Sequence, residues 1–290
     1  MRISVIIPCR NAERTIGQQL AALARQRCDE EWEVIVADNG STDRSRDIVE
    51  QFRNRLPNLR LVEAYQRRSP GFARNVGVAA ARGDVLLHCD ADDEVGDNWL
   101  PAMTRALETH ELVACRMDID KLNPPWLRLV HANPQPDGAQ VPLWYPPHLP
   151  HAAGATLGVR RALHERIGGF DESIAYLEDA DFCIRAQLAG ATLVSVPDAV
   201  VHYRYRDTAL GLYRQGRNYA KYNVRLYKRY RPKGYRDRWR WRVYVERWLQ
   251  LLLRIPDWRT RTGRCHWFWS FGWQMGYTIG MLKFRSKPPV

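Results

Sequence analysis

Three aspartates stand close together in the chain, directly after an apolar stretch. Asp90, Asp92 and Asp93 follow the segment 84–89, DVLLHC, whose apolar residues are typical of a buried strand. Carboxylates this close repel one another unless a positive charge lies among them. Mg²⁺ and Mn²⁺ prefer oxygen ligands and commonly bind one or two carboxylates together with substrate phosphates. The cluster indicates a divalent-cation site, with a solvated acidic turn that caps the next helix as the alternative.

The elements that must position these acids alternate along the chain. Apolar, β-branched runs predict strands, and the segments between them carry helical patterns. The predicted strands are 3–7, 33–38, 59–63 and 84–90; the predicted helices begin near Ile16, after the capping residues Ser41 and Thr42, and at 72. This order predicts an α/β fold with a parallel or mainly parallel sheet flanked by helices.

Ligands of such sheets bind at the carboxyl ends of the strands. The clear strands end at Pro8-Cys9-Arg10, at Asp38-Asn39 and at the aspartate cluster, so carboxylates from two strands are expected at one rim. A dinucleotide-binding turn or a phosphate-binding loop would need glycines after the first strand. The first glycine is Gly17, which excludes both of these sites.

Five stretches follow one another along the chain: SVIIPCRNAERTIGQQLAAL, EVIVADNGSTD, GFARNVGVAAARGDVLLHCDADD, GGFDE and YLEDADFCIRAQLAG. In this order they strongly resemble glycosyltransferase family 2, and the resemblance covers residues 2–205. It implies the GT-A fold, a Rossmann-like mixed sheet that is mainly parallel. It also implies a nucleotide-sugar donor, inversion at the transferred sugar, and an Mn²⁺ or Mg²⁺ cofactor.

The resemblance further implies which residues contact the nucleotide sugar. Pro8 and Arg10 would lie beside the base, Asp38 would hydrogen-bond it, and Asn39 would begin the supporting turn. The pair Arg74-Asn75 matches the Ala-Arg-Asn stretch of the family, with the arginine near the diphosphate or the ribose.

The same resemblance assigns the metal and the catalytic base. Asp92 would bind the metal directly, and Asp90 would contact the ribose or a metal-bound water. Asp179 matches the general base that takes the proton of the acceptor hydroxyl, and Glu178 would hold the loop or the acceptor. His202 matches a histidine near the diphosphate or the metal. Taken without the resemblance, Glu178 and Asp179 are surface acids at a helix N-terminus, and His202 is a structural histidine.

The charge of the chain divides it into two regions. The net charge is +12, but residues 1–200 carry 22 basic and 28 acidic side chains, whereas residues 201–290 carry 22 basic and 4 acidic ones. The basic region also holds 7 of the 11 tryptophans and 10 of the 13 tyrosines. We therefore predict a transferase domain over 1–205 and a basic, amphipathic helical region over 206–290.

Three interpretations of the basic region compete. An amphipathic helix over 239–254 favours helices that lie on an anionic membrane surface. The almost uncharged segment 265–282 has large residues at every odd position from Trp267 to Met281, which is typical of a strand, but Gly272, Gly276 and Gly280 at four-residue steps favour a closely packed helix. A solvated or dimeric helical appendage is the second interpretation of the basic region, and a nucleic-acid-binding region is the third. The segment 265–282 is near the lower length limit for a membrane span, and we expect an interfacial or dimer helix there.

Together these patterns predict a cytoplasmic, peripheral membrane enzyme that acts on a glycan or lipid-linked acceptor. The compartment is expected from six scattered cysteines without metal-binding spacing and from an N-terminal apolar run too short for a signal peptide. The alternative functions are a nucleotide-sugar-binding scaffold without catalysis and a nucleic-acid-binding protein. The segment 121–150 holds eight of the 17 prolines, and it is expected to be irregular, as a lid or a passive insertion.

Overall fold

The chain forms two compact units. The computed structural model describes residues 2–56, 58–139, 142–232 and 241–289. The first unit comprises Met1–Leu122, Asn133–Pro142 and Pro150–Arg204, and the second comprises Asn123–Ala132, Leu143–Leu149 and Tyr205–Val290. The proline-rich segment 121–150 thus contributes to both units. The last change of unit along the chain falls between Arg204 and Tyr205.

A single mixed sheet forms the centre of the first unit. Its strands are β1 Ile3–Cys9, β2 Trp32–Asp38, β3 Leu59–Glu63, β4 Val85–His88, β5 Glu94–Val95, β6 Leu112–Asp118, β7 Leu157–Arg160 and β8 Leu193–His202. Their order in the sheet is β3-β2-β1-β4-β7-β6-β8-β5. The pairs within β3-β2-β1-β4 and the pair β6-β8 are parallel, whereas β7 and β5 pair antiparallel with their neighbours. The sheet is therefore mixed and mainly parallel, as predicted.

Helices connect these strands. They are α1 Ile16–Leu23, α2 Ser45–Gln51, α3 Pro70–Ala80, α4 Trp99–Leu107, α6 Arg161–Arg166 and α7 Glu178–Leu188, with a short 3₁₀ turn at Gly154–Thr156. Local residues define the start of α3: the Ser69 side chain caps the helix by accepting a hydrogen bond from the Phe72 amide, and Pro70 occupies the first turn. The predicted capping residues Ser41 and Thr42 are wrong for α2, which begins at Ser45. The Ser41 hydroxyl instead accepts from the Asn11 amide, and the Thr42 amide donates to Asn11 Oδ1, so the two residues join two loops.

Both faces of the sheet are buried, which explains the continuous apolar strands. Along β1, Val5 and Ile7 pack in one cluster with α1 and α4, and Ile6 packs in a second cluster on the opposite face with α7. In β2, Val36 and Ile35 divide between the two clusters in the same way. Successive side chains of a strand point to opposite faces, so an uninterrupted apolar run is the expected sequence of a doubly covered strand.

The second unit is helical. It contains α5 Pro125–Arg128, α8 Ala209–Tyr230, α9 Trp241–Leu253, a 3₁₀ turn at Ile255–Arg259 and α10 Arg261–Phe284. The sequence 265–282 lies within α10, which confirms the prediction of a helix over a strand there. A basic, aromatic helical appendage follows the sheet unit, as predicted.

The glycine stripe of α10 serves packing inside this unit. A Cβ atom added at Gly276 would lie 2.3 Å from the Arg217 carbonyl oxygen of α8, and one at Gly272 would lie 2.3 Å from the Tyr213 carbonyl oxygen. Only glycine allows two helix backbones to approach this closely. The stripe is consequently covered by α8, and a homodimer contact would have to use another face of α10.

The apolar residues of α9 form two groups, one that packs against α10 and one that faces solvent. The rings of Tyr244 and Trp248 pack towards α10, where Trp248 meets Phe271 at 6.1 Å between ring centroids. Trp241 and Leu249 are 56% and 54% exposed. The sequence placed all of these residues on one helical face. In the structure, part of that face is covered and part faces solvent.

Candidate active site

The ends of β1 and β2 meet at one rim of the sheet. Cys9 pairs in register with Asp38, and the Asn39 amide donates a hydrogen bond to the Cys9 carbonyl at 2.7 Å. The Asn39 side chain then donates to the Arg67 carbonyl at 2.7 Å, which fixes the chain after β2. Pro8 is half-buried in β1, and Arg10 follows the strand with an exposed side chain. The structure therefore brings the four predicted residues of the base-binding side together.

The Asp38 carboxylate is buried at this rim, and one of its two oxygens accepts no hydrogen bond from the described residues. The side chain is 1% exposed, and its Oδ1 accepts a hydrogen bond from the Ser41 amide at 3.1 Å. Its Oδ2 is buried and has no hydrogen-bond partner among the described residues; the Arg46 guanidinium lies 3.9 Å away. A buried oxygen without a donor is costly, so a ligand N–H at this place would be stabilised.

Arg74 connects two acids that are far apart in the sequence. Its Nη1 donates to Glu178 Oε1 and its Nη2 donates to Asp90 Oδ1, both at 2.8 Å. The Arg74 side chain is 3% exposed, and a Cβ at Gly154 would lie 2.6 Å from its Nη2. The planar guanidinium suits this double pairing because it presents donors in a fixed fork. The predicted donor-side arginine is thus the bridge between the acid cluster and the Glu178-Asp179 pair.

One arginine does not neutralise this group of carboxylates. Burial and the charge of Asp179 raise the pKa of Glu178 to about 7, although Arg74 opposes the shift. Burial also raises the pKa of Asp90, with Asp92 adding to the shift and Arg74 opposing it. The pKa of Arg74 is raised despite its burial because Asp90 and Glu178 lie beside it. An excess of negative charge at the site therefore remains to be compensated by a cation.

The aspartate cluster has the donor set that a hard divalent cation needs. Within the described residues, one carboxylate oxygen from each of Asp90, Asp92 and Asp93 lies within 4.8 Å of the others. Oxygen ligands of this type fit Mg²⁺ or Mn²⁺, and a positive charge among carboxylates this close would offset their mutual repulsion. The residues fit the cofactor that the sequence predicts.

Arg204 holds the turn that carries the cluster. Its amide donates to Asp93 Oδ1 at 2.9 Å, its Nε donates to the Asp92 carbonyl at 2.9 Å, and its Nη2 donates to Gln18 Oε1 at 2.8 Å. The turn is consequently fixed to the end of β8 and to α1. Sequence analysis missed Arg204, although a polar residue just after a strand end is the signal that identified the other site residues.

Asp179 occupies the first turn of α7 in a fixed orientation. Its Oδ2 accepts the Gly154 amide at 2.9 Å, and its Oδ1 accepts the Ala180 amide at 2.8 Å. The preceding Leu177 has φ 63°, a left-handed conformation that costs energy in a residue with a branched side chain. The strained residue turns the chain into α7, so that Glu178 and Asp179 begin the helix next to Arg74. The Gly154 contact has no local signal in the sequence.

Asn75 and His202 make well-defined contacts outside the acid cluster. The Asn75 amide donates to the Phe170 carbonyl at 2.9 Å and accepts the Phe170 amide at 2.9 Å, which holds the GGFDE loop. The His202 Nδ1 lies 2.5 Å from Asp118 Oδ2 on the neighbouring strand. Burial would raise the pKa of Asp118, but His202 and two backbone amides lower it. Among the described residues, the cluster of possible metal ligands consists of Asp90, Asp92 and Asp93, and His202 does not belong to it.

Two family models match the chain. The one described as "Glycosyl transferase family 2" matches residues 4–168, and the one described as "Glycosyl transferase family group 2" matches residues 145–284. The chain is 38% identical over 116 residues to the uncharacterized glycosyltransferase YfnE of Bacillus subtilis, an alignment that covers 40% of this chain and 29% of YfnE. It is 37% identical over 112 residues to the poly(ribitol-phosphate) beta-N-acetylglucosaminyltransferase TarS of Staphylococcus aureus, over 38% of this chain and 19% of TarS. The chain thus spans less than a third of the length of these two relatives.

Solved glycosyltransferase structures share the fold. S. aureus TarS 1–349 in complex with UDP-GlcNAc matches with a TM-score of 0.58 and 19% identity, over 99% of this chain and 93% of that chain. The mannosyltransferase PcManGT of Pyrobaculum calidifontis, in complex with GDP-Man and Mn²⁺, matches with a TM-score of 0.59 and 24% identity, over 78% and 64% of the two chains. These likenesses confirm the predicted GT-A fold.

Proposed function

The chain belongs to glycosyl transferase family 2, and on this premise we propose that it transfers a sugar from a nucleoside-diphosphate sugar to a hydroxyl group of an acceptor. We propose inversion at the sugar carbon and dependence on Mn²⁺ or Mg²⁺. The observation that carries the proposal is the Arg74 bridge, which joins an acid cluster suited to a metal with the Glu178-Asp179 pair.

The donor would lie along the rim that runs from Asp38 to the acid cluster. The unsatisfied Oδ2 of Asp38 would accept an N–H of the base, and Pro8, Arg10 and Asn39 would frame it. The solved relatives bind UDP, UDP-GlcNAc or GDP-Man. Those complexes support a nucleotide sugar as the donor of this chain.

The acids of the turn would hold the cation beside the diphosphate. Asp92 would bind it directly, and Asp90, fixed by Arg74, would bind it or a water in its shell. When bound, the divalent ion neutralises the charge that develops on the leaving nucleoside diphosphate. Arg204 holds the turn in place, and it presents the carboxylates from a fixed backbone.

Asp179 would take the proton of the attacking acceptor hydroxyl. The amides of Gly154 and Ala180 fix its carboxylate in one orientation. Burial and the charge of Asp179 raise the pKa of Glu178, although Arg74 opposes the shift. We therefore propose Asp179, and not Glu178, as the carboxylate that accepts the proton.

The base is tested with Asp179→Asn. The amide keeps the shape of the side chain but cannot accept the proton, so transfer should fall by about 10²–10⁴-fold while the donor Kd stays within about twofold. Transfer is measured with radiolabelled donor, and the donor Kd is measured by calorimetry in the presence of Mn²⁺. The matched control is Glu165→Gln, an exposed carboxylate of α6, which should leave both quantities unchanged. Full transfer activity in Asp179→Asn would refute the role of this residue.

The metal site is tested with Asp92→Ala. Loss of a direct ligand should abolish Mn²⁺-dependent donor turnover and remove the increase in Tm that Mn²⁺ and the nucleotide give to the wild-type chain. Asp97→Ala is the control, since Asp97 is an exposed acid seven residues from Asp90 whose side chain is 87% accessible. A variant that keeps Mn²⁺-dependent turnover would contradict the assignment.

We propose that the helical unit associates with an anionic membrane surface, near a lipid-linked or other glycan acceptor. None of the helices in the described part of the chain has the length and apolarity to cross a membrane. The segment α9 to Arg259 nevertheless exposes large apolar side chains: Trp241, Val245, Leu249, Leu252, Leu253, Ile255 and Trp258. Apolar side chains with arginines beside them are typical of an interfacial helix.

Vesicle flotation tests this association. The double variant Leu249→Ser and Leu252→Ser should bind phosphatidylglycerol vesicles at least about tenfold more weakly than the wild-type chain, because each exposed leucine contributes apolar burial in the bilayer. The control is Leu188→Ser, which changes an exposed leucine of the sheet unit. Equal flotation of all three proteins would overturn the proposal and leave the transferase proposal intact.

A further inference from the structure

The helical unit contains a cavity that the transferase site does not use. It has a volume of about 380 Å³ and lies between α9 and α10, with Trp144 at its edge. That volume falls in the range of small-molecule binding sites, roughly 300–1,000 Å³. Four aromatic residues line it: Trp144, Trp269, Trp273 and Tyr277. The cavity is therefore large enough, and aromatic enough, to hold an organic ligand.

The charged residues of the cavity all carry positive charge. Arg247 of α9 and Arg254, the residue that follows α9, line it, and none of the described lining residues is acidic. Arg254 Nε pairs with Asp257 Oδ2 at 3.0 Å. Arg247 has no carboxylate partner within 4.0 Å among the residues that the structure describes. One arginine is thus available for an anionic group of a ligand.

A buried amide in the same wall lacks a partner. Gln274 of α10 is 5% exposed, and its side-chain Oε1 has no hydrogen bond within the described structure. Burying an amide oxygen without a donor costs free energy that a ligand hydroxyl or a water could recover. Ser270 and Gln250 add two further neutral polar side chains to the lining. The cavity thus combines aromatic faces, neutral hydrogen-bonding groups and a guanidinium.

We propose that this cavity binds a saccharide that carries an acidic group, a phosphate or a carboxylate. The C–H faces of a sugar ring stack on the Trp rings, its hydroxyls bind Ser270, Gln250 and Gln274, and the acidic group pairs with Arg247. This inference rests on the proposed function for its biological meaning, since it makes the ligand a segment of the acceptor glycan. The cavity then holds an anionic glycan on the helical unit.

Other ligands use only part of this lining. An acyl chain would offer no hydrogen bond to Gln250, Ser270 or Gln274, and a free phosphate would leave the exposed Trp144 ring in contact with water. An anionic saccharide satisfies both sets of groups together. The lining therefore favours it over a lipid tail or an inorganic anion.

Calorimetry on the full-length chain, without donor or metal, tests the proposal. The probes are glucose 6-phosphate and trigalacturonic acid, with maltotriose as the neutral comparison and inorganic phosphate as the bare anion. At least one acidic saccharide should bind with millimolar affinity or better, and about tenfold more tightly than maltotriose and inorganic phosphate, because the arginine adds a charge-assisted hydrogen bond and the rings add stacking.

Two matched pairs of variants locate the binding. Arg247→Gln should weaken it about tenfold, and Arg242→Gln, which removes the same charge from an exposed position of α9, should not. Trp144→Ala should weaken it as well, whereas Trp241→Ala, another exposed tryptophan of the same unit, should not. Nucleotide-sugar turnover should be unchanged in all four variants, which separates this inference from the proposed function.

Three results would overturn the inference. The first is that neither acidic saccharide binds at millimolar concentration. The second is that inorganic phosphate binds as tightly as the acidic saccharides, which would make the cavity a simple anion site. The third is that Arg247→Gln and Arg242→Gln behave alike with the saccharides, while Arg247→Gln alone loses binding to phosphatidylglycerol vesicles. That result would assign the cavity to a lipid headgroup.

Discussion

The two units of this chain use charge in opposite ways. In the sheet unit, Asp90 and Glu178 pair with one buried guanidinium, that of Arg74, and burial and neighbouring carboxylates raise the pKa values of these two acids. In the helical unit, basic side chains lie over aromatic rings at the surface, as Arg261 does at 4.0 Å from the centre of the Trp126 ring and Arg242 at 5.8 Å from that of Trp241. Concentrated buried charge is suited to chemistry, and dispersed surface charge is suited to binding.

The units also differ in what holds them together. The sheet unit packs aliphatic strand residues on both faces, whereas the helical unit relies on glycines that let α8 and α10 approach and on a chain of aromatic contacts. Apolar burial tolerates small rearrangements, but a backbone contact through glycine does not. The two units should therefore respond differently to matched substitutions.

The largest expected effect concerns Arg74, the buried arginine of the sheet unit. Arg74→Gln leaves Asp90 and Glu178 without their shared partner and should lower the free energy of unfolding by about 3–5 kcal/mol at pH 8. The loss should be smaller at pH 6, where Glu178 can hold a proton. Urea unfolding at the two pH values measures both quantities. The comparison is Arg2→Gln at the exposed pair with Glu31, where we expect a change under about 1 kcal/mol.

A glycine-to-alanine pair compares the packing of the units. Gly276→Ala should destabilise the chain by about 1–3 kcal/mol, because its Cβ would lie 2.3 Å from the Arg217 carbonyl oxygen. Gly17→Ala in α1 meets ordinary contacts at 3.4 Å and should stabilise the chain by up to about 1 kcal/mol through helix propensity. Thermal unfolding of both variants decides the comparison. An equal response would remove the distinction between the two packing modes.

Salt should separate the two uses of charge. Raising the ionic strength screens the exposed arginines of the helical unit, each worth about 1 kcal/mol near an anionic surface, and should release the chain from phosphatidylglycerol vesicles. Donor turnover, which depends on buried groups, should change by less than about twofold over the same range. Flotation and turnover measured in one salt series test this contrast. A parallel loss of both would argue that a single charged surface serves both activities.

A pH dependence of stability is also expected from Glu178. Its pKa is 4.5 for the free side chain and is raised to about 7 in the folded chain. Between these values the native state holds a proton that the unfolded state has lost, so the free energy of unfolding should fall as pH rises from 4.5 to 7. Glu178→Gln should remove this part of the slope. Denaturant unfolding at several pH values measures it, and identical slopes for both proteins would contradict the raised pKa.

The fold could be predicted because its determinants are local. The apolar run of β1 and the Ser69-Pro70 start of α3 each define an element within a few residues of sequence. The aspartates after β4 could be placed at the rim by the rule that parallel strands end on the same edge. The glycine stripe of α10 indicated close helix packing, but its partner, α8, could not be read from that stripe.

The site could be predicted only in part. The sequence identified Asp90, Asp92 and Asp179 as the acids of interest, and the structure brings Asp90 and the residue before Asp179 to one arginine. Arg204 and Gly154 were missed because each acts through a contact with a distant segment. The two capping residues predicted for α2 bind another loop, since an isolated side chain can accept from any amide that packing brings near.

The sequence by itself determined the kinds of elements, the acids at the strand ends and the division of charge between the two regions. Only the tertiary structure decided that Arg74 serves Asp90 and Glu178, the latter 104 residues away, and that α9 covers one part of its apolar face and exposes another. Periodicity and capping act over one or two turns of chain. Pairing between distant side chains depends on how the elements pack, because burial decides which charges must be neutralised and which groups remain open to a ligand.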